Sequence, residues 1–390
     1  MKIKENQKKR NSSIESLKVL AMILVIVGHC IQTLYIPNDY FTISDYILDL
    51  KSPTISVSNL VLTILAHSGA LGNIIFLICS SWFMVDDSIC KYRKIWMFIL
   101  DIWTVSVLFL IVSVVVFNIS LPIKMVIQQL FPTLFSNNWY MSCYIILYLV
   151  HPFLNIILTK SDKKQLFRLI VTLITIYIVF NSIYPVFFPS KMTLWVTIYL
   201  YVGYAKKYAM HIIGKNRINS LMLIIGLVGW ISTVLFLNTI GLYVSFVNVN
   251  LLQFNNGNNI FLHMIAFALF THARQHQFYS PAINKFASLS IFIYIIHENM
   301  IVRTYLRPQI WERINHERGY NYILIWLVTI VLLNYLISFV IGYLYTVSVH
   351  KIVVSIGNIL YVKFKMFWNR FETYTIAEAQ ENGNEHFKNS

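Results

Sequence analysis

The sequence predicts an all-α polytopic membrane protein of about ten transmembrane helices, with both termini cytoplasmic. Three observations carry this. Hydrophobic residues make up 57% of the chain and charged residues 12%, a charged share about half that of a soluble domain, so lipid is the main solvent. Apolar runs near the roughly 20 residues needed to cross a bilayer recur along the chain. Lys and Arg divide unevenly between the loops that those runs define.

The runs cover, in order, residues 17–36, 57–82, 95–117, 139–159, 166–184, 187–205, 219–240, 257–271, 286–306 and 321–348. The first lacks a small-residue cleavage site and reads as a retained span rather than a signal peptide. Between the third and fourth, Leu121 to Phe135 is partly amphipathic and reads as a segment lying along the membrane surface. The fifth and sixth are parted by a turn around Pro185 and Pro189. The eighth is the shortest and follows Asn255-Asn256-Gly257-Asn258-Asn259.

Basic residues orient these runs. With the N-terminus inside, the outer loops hold only Lys51, Lys124, Lys191, Arg303, Arg307, Arg313 and Arg318 of the 31 Lys and Arg. That asymmetry fits an even number of spans and a multi-pass protein of a bacterial plasma membrane. The domain organisation is then a basic cytoplasmic N-terminus, 1–16, a transmembrane domain, 17–348, and a partly disordered cytoplasmic tail, 349–390. No internal repeat is evident. The net charge of +15 belongs to the basic inner loops, so membrane lipid is the expected partner and nucleic acid is not. Cys30, Cys79, Cys90 and Cys143 form no CxxC or other metal spacing, so free thiols and no metal site are expected. Oligomeric state is not encoded.

His29 stands out. An ionisable side chain at membrane depth costs about 2.5 kcal/mol or more when charged, and so marks function by default. It follows Lys18 by eleven positions. At about 100° per residue the two share one helix face, about 16 Å apart, a layout suited to an elongated anionic cofactor. His297 lies at a similar depth in the ninth run, about 16 Å against about 18 Å. Glu298 adds an acid beside it, and Arg303 a cation nearer the outer face. One shared polar cavity is the functional reading of this set. A structural polar clasp between helices is the alternative.

Asn73 and His67 in the second run are further candidates, although the small residues around them also suit close helix packing. Lys91, Arg93 and Lys94 open the third run from the cytoplasm and would also serve as membrane anchors. Trp139 and Tyr140 open the fourth from outside, as interface aromatics commonly do.

Taken together these features resemble the membrane-bound acyltransferase 3 family, whose members O-acylate cell-surface glycans and related acceptors. The likeness runs from about Ser13 to about Ile341. The family's Arg, ten residues, then His is matched by Lys18 and His29, with Lys in place of Arg. Asn73 through Ser80-Ser81-Trp82-Phe83 is similar to its apolar run ending in Ser-Gly-aromatic-Phe, with Ser81 where Gly is usual. Lys91 to Lys94 resembles its basic Arg-x-x-Arg, again with Lys. Trp139 to Pro152 fits its Trp-led fourth helix. Tyr294-Ile295-Ile296-His297 matches its Tyr-x-x-His.

The resemblance implies an enzyme, an acyl-CoA-dependent acyltransferase, with acetyl-CoA the expected donor. The acceptor would be a surface glycan or lipid-linked saccharide. Lys18, Lys91, Arg93 and Lys94 would hold the donor's phosphates. His29 would act as general base or transient acyl carrier, helped by His297 and Glu298. Asn73, Trp139, Tyr294 and Arg303 would meet the acceptor. Two other readings stand beside it: a polysaccharide or lipid-linked glycan transporter or flippase, and a sensor that kept the fold without the chemistry.

Overall fold

A computed structural model describes residues 10–35, 54–87, 89–181, 191–244, 257, 259–318 and 322–388. Lys51, Pro185, Pro189, Asn255, Asn256 and Asn258, which entered the sequence reading, lie outside the described residues. Every regular element among the described residues is helical.

The helices are α1 (Ser12–Tyr35), α2 (Val57–Ala66), α3 (Ser68–Met84), α4 (Tyr92–Ile111), α5 (Ile123–Leu130), α6 (Trp139–Lys160) and α7 (Lys163–Ile174). They continue as α8 (Lys191–Tyr204), α9 (Asn216–Gly241), α10 (Ile260–Gln275), α11 (Pro281–Ser288), α12 (Ser290–His297), α13 (Arg307–Arg318), α14 (Ile323–Val347) and α15 (Val349–Lys388). Capping residues mark several starts. Asp162 accepts from the Lys164 and Gln165 amides at α7, and Ser280 stands before the helix-opening Pro281.

By length and apolar composition six segments can cross a membrane: α1, α2 with α3, α4 with its wider continuation to Val116, α6, α9 and α14. A seventh is possible if the bent pair Pro281–His297 and Val302–Asn315 counts as one span. The runs read at 166–184, 187–205 and 257–271 carry the shorter α7, α8 and α10. Exposed Ile224, Val228 and Phe236 on α9, with Leu332, Leu336 and Val340 on α14, are apolar side chains that only lipid would solvate well.

Two sequence expectations are revised. The run 286–306 is not one helix. It breaks after His297 and turns by 64°, because Asn299 Oδ1 takes the Ile301 amide (3.0 Å) and so caps a new start. Arg307, read as an outer-loop residue, is 2% exposed. The segment after residue 349 carries α15. Its first half lies along α4, with Trp96 Nε1 donating to the Gly357 carbonyl at 3.1 Å and the Trp96 and Phe364 rings stacked.

The core that positions the site is α1. Its backbone nearly touches α3: a Cβ at Gly28 would lie 2.7 Å from Gly69 Cα, and one at Gly72 would collide with the Ala21 carbonyl. Small residues at these crossings let the two helices approach at backbone distance. Ser68 Oγ adds a hydrogen bond to the Leu24 carbonyl (3.0 Å). At its beginning α1 is tied to α11 through Ser12 and Ser280.

Candidate active site

α1 and α12 bring His29 and His297 together. His29 stands as many residues after Ser12 as His297 stands after Ser280, and those serines are hydrogen-bonded. α1 and the α11–α12 segment therefore start level, run the same way and deliver their histidines level. His29 Nδ1 lies 3.1 Å from His297 Nε2 and 3.1 Å from Glu298 Oε1. The rings are stacked, with centroids 5.4 Å apart.

The proton positions follow from the partners. His297 Nδ1 is 2.8 Å from the Ile293 carbonyl, which can only accept, so Nδ1 carries the hydrogen. In the neutral ring Nε2 is then an acceptor, and it faces His29 Nδ1. Glu298 Oε1 is an acceptor too. Both neighbours ask His29 Nδ1 to donate, which leaves Nε2 as the lone-pair nitrogen of a neutral His29. This is the tautomer that a general base needs.

Arg307 closes the cluster from α13. Its Nη2 donates to the His297 carbonyl at 2.6 Å and to Glu298 Oε1 at 3.0 Å, and its Nη1 to the His29 carbonyl at 3.3 Å. The break after His297 exposes that carbonyl, since no next turn of helix follows to bond it. Arg303 approaches Glu298 Oε2 at 3.7 Å. Trp311 Nε1 donates to the Cys30 carbonyl at 3.1 Å, so α13 grips α1 at successive residues. The sequence reading placed Arg307 in an outer loop and passed over Trp311. An arginine nine positions after a buried glutamate was the available signal.

One ligand atom each from His29, His297 and Glu298 lies within 4.8 Å of the others, a spacing that can accept a divalent metal. The same carboxylate already meets two guanidiniums, which supply the positive charge a cation would otherwise bring. The donor set thus fits an ion-paired hydrogen-bond cluster better than a metal centre.

A cavity of about 160 Å³ opens beside His29. Gly28, Gln32, Asn73, Trp139, Lys191 and Trp195 are among its walls. Asn73 and Trp139 are therefore brought to His29. Tyr294 sits instead behind His297, edge to face at 5.5 Å, and against Tyr140 at 5.6 Å. Among the described residues the Tyr140 hydroxyl is buried without a hydrogen-bond partner. His67 is fully buried at the junction of α2 and α3, on the Thr63 carbonyl, and does not join the cluster.

The basic residues expected to hold a donor are spread out. Lys18 pairs with buried Glu15 at 3.1 Å. Lys94 lies over the Tyr148 ring at 5.3 Å. Arg93 Nε turns to Asn358 Oδ1 on α15 at 2.8 Å. Lys91 pairs with Asp87 at 2.8 Å in the loop before α4, and its hydrogen bond holds the Asp87 carboxyl below its ordinary range. None of the four is in the cavity wall. Two further cations flank Trp82: Lys206 Nζ at 4.8 Å and the Arg274 guanidinium at 5.1 Å from the ring. Lys206 also pairs with Asp86 at 2.6 Å.

No curated protein and no solved structure matches the chain. The profile of an acyltransferase domain, acyltransferase 3, matches residues 11–349. That span contains α1 to α14, the His29–His297–Glu298–Arg307 cluster and the cavity beside it. This chain belongs to the acyltransferase 3 family of membrane acyltransferases.

Proposed function

We propose that the protein is an O-acyltransferase that moves an acyl group, acetyl foremost, from cytoplasmic acyl-CoA to a sugar hydroxyl of a cell-surface or exopolysaccharide glycan. One observation carries this reading: His29, oriented through Nδ1 by His297 and Glu298, forms part of the wall of a cavity that Trp139 and Trp195 also line. Aromatic faces beside a base suit a sugar ring whose hydroxyl must be deprotonated.

The proposed step balances simply. His29 Nε2 takes the proton of the sugar hydroxyl as its oxygen attacks the thioester carbonyl. The C–O bond forms, the C–S bond breaks, and the CoA thiolate leaves to be protonated from His29. Glu298 stabilises the imidazolium formed on the way, while Arg307 keeps Glu298 ionised and fixed. The donor approaches from the end of α1 that carries Lys18, with Lys94 near it, and Lys206 and Arg274 offer a second pair of cations for its phosphates. In this reading ten spans place both termini in the cytoplasm of a bacterial cell, and the Trp139 end of the cavity faces outward.

The broken helix at His297 gives a transporter or flippase some support, since discontinuous helices at mid-membrane are a device of transporters. One assay separates the two. Mass spectrometry of surface glycan from cells with and without the protein should show an acyl mass increment that depends on His29. A glycan of unchanged mass that is lost from the surface without the protein would favour transport.

A further inference from the structure

We infer that the acceptor is an anionic saccharide whose carboxylate or phosphate is met by Lys191 at the mouth of the His29 cavity. The inference rests on the proposed outward acceptor route and specifies its substrate class. Lys191 begins α8 and is exposed, yet its ammonium does not extend away from the protein. It folds over the Trp139 ring, 4.0 Å from the centroid, and both side chains are cavity walls together with His29.

Charge decides what this mouth prefers. Among the described residues no carboxylate forms an ion pair with Lys191. Its electrostatic neighbours are the Cys143 thiol and Arg303, and the cation of the two repels it. Among the described residues Glu298, the acid of the histidine cluster, is already engaged by Arg307, Arg303 and His29. Among the described residues this side of the cluster therefore carries cationic charge in excess, beside a low-dielectric wall where such charge is poorly screened. An anion on the ligand offsets that excess. An aromatic face next to a cation binds the ring and the acid of one sugar at the same time. A neutral sugar would use Trp139 and Trp195 and leave the ammonium unmatched.

The test uses the detergent-purified full chain and tryptophan fluorescence. Methyl glucuronide, glucose 6-phosphate, methyl glucoside and sodium phosphate are titrated separately into wild type, Lys191→Gln and Lys191→Arg. The two acidic sugars should half-saturate at concentrations about tenfold below methyl glucoside, the discrimination of one charge-assisted contact. Lys191→Gln should remove that preference and Lys191→Arg should keep it. Equal binding of acidic and neutral sugars overturns the inference, as does no quenching by any sugar, or a preference that survives Lys191→Gln. Sodium phosphate acting as strongly as the acidic sugars also overturns it, since the site would then take a bare anion. The acyl-transfer reading fails separately. Charge-selective binding with no His29-dependent acylation of surface glycan removes the transferase and leaves the anion site.

Discussion

The Ser280 amide donates to Ser12 Oγ at 2.7 Å, and the same hydroxyl lies 2.9 Å from Asn284 Oδ1. This contact joins the first turn of α1 to the first turn of α11, at the far end of both helices from the histidines. From it each chain climbs an equal number of residues to His29 or His297. The histidine pair is thus set by register as well as by its own hydrogen bond. Ser12→Ala strands the Ser280 amide and should cost about 1–3 kcal/mol. It should also lower turnover with little change in donor KM, since it acts on alignment. Thermal unfolding and steady-state kinetics check the two parts. Unchanged turnover would show that the serine contact does not set the histidine register.

Arg307 is buried against Glu298. Breaking a buried pair by removing one partner costs about 3–5 kcal/mol, and without Arg307 the Glu298 carboxylate keeps only His29 and the longer contact to Arg303. Arg307→Ala should therefore lower thermal stability sharply and reduce yield. Pairing it with Glu298→Gln should restore much of the stability while activity stays lost. If the double variant is no more stable than Arg307→Ala, the ion pair is not what Arg307 supplies.

How much of this could be read from sequence divides along physical lines. His29, His297 and Glu298 were legible because an ionisable group in an apolar run has few structural excuses, and helical rise alone put the two histidines at one depth. The break after His297 was not legible. Its cause is Asn299, whose amide also accepts from Gln129 Nε2 on α5 at 2.9 Å, a contact that no local pattern reveals. Arg307 was lost for the same reason, since a continuous helix would have carried it to the outer surface. Lys91 and Arg93 were legible as cations, but their partners Asp87 and Asn358 are set by loop and tertiary geometry.

The α1–α3 crossing predicts an asymmetry between two glycines in contact. A methyl at Gly28 would lie 2.7 Å from Gly69 Cα and amide nitrogen, whereas one at Gly69 would lie 3.4 Å from Gly28 Cα. The first is a clash of backbones, the second an ordinary contact. Gly28→Ala should destabilise by about 1–3 kcal/mol and reduce activity, because overpacking must push the helices apart. Gly69→Ala should keep most of both. Equal sensitivity to the two substitutions, measured by thermal unfolding in detergent, would contradict the close approach.

Orientation can be tested at described positions. The proposed ten spans place Asn315, at the end of α13, outside and Asp162, before α7, inside. Single cysteines there, in a background free of the four native thiols, should react differently with a membrane-impermeant maleimide on intact cells. Asn315→Cys should label and Asp162→Cys should label only after lysis. The reverse pattern inverts the protein, and labelling of both from outside breaks the span count between them.

His29 is proposed to take a proton or to carry the acyl group, and the cluster makes these roles separable. As a base it works through Nε2 with Nδ1 hydrogen-bonded to Glu298 and His297. Loss of a general base costs about 10²–10⁴-fold in rate. His29→Ala should accordingly abolish nearly all glycan acylation while the protein still inserts at normal levels. His297→Ala removes one of two partners of Nδ1 and should give a smaller loss, because Glu298 still orients the ring. Glu298→Gln should fall further than His297→Ala, since it also loses the charge that stabilises the imidazolium. If His29 instead carries the acyl group, quenched single-turnover mixtures of protein and labelled acetyl-CoA without acceptor should hold label on the peptide containing His29. If it acts as a base they should hold none. An acyl increment on glycan that persists in His29→Ala cells would remove His29 from the chemistry under either role.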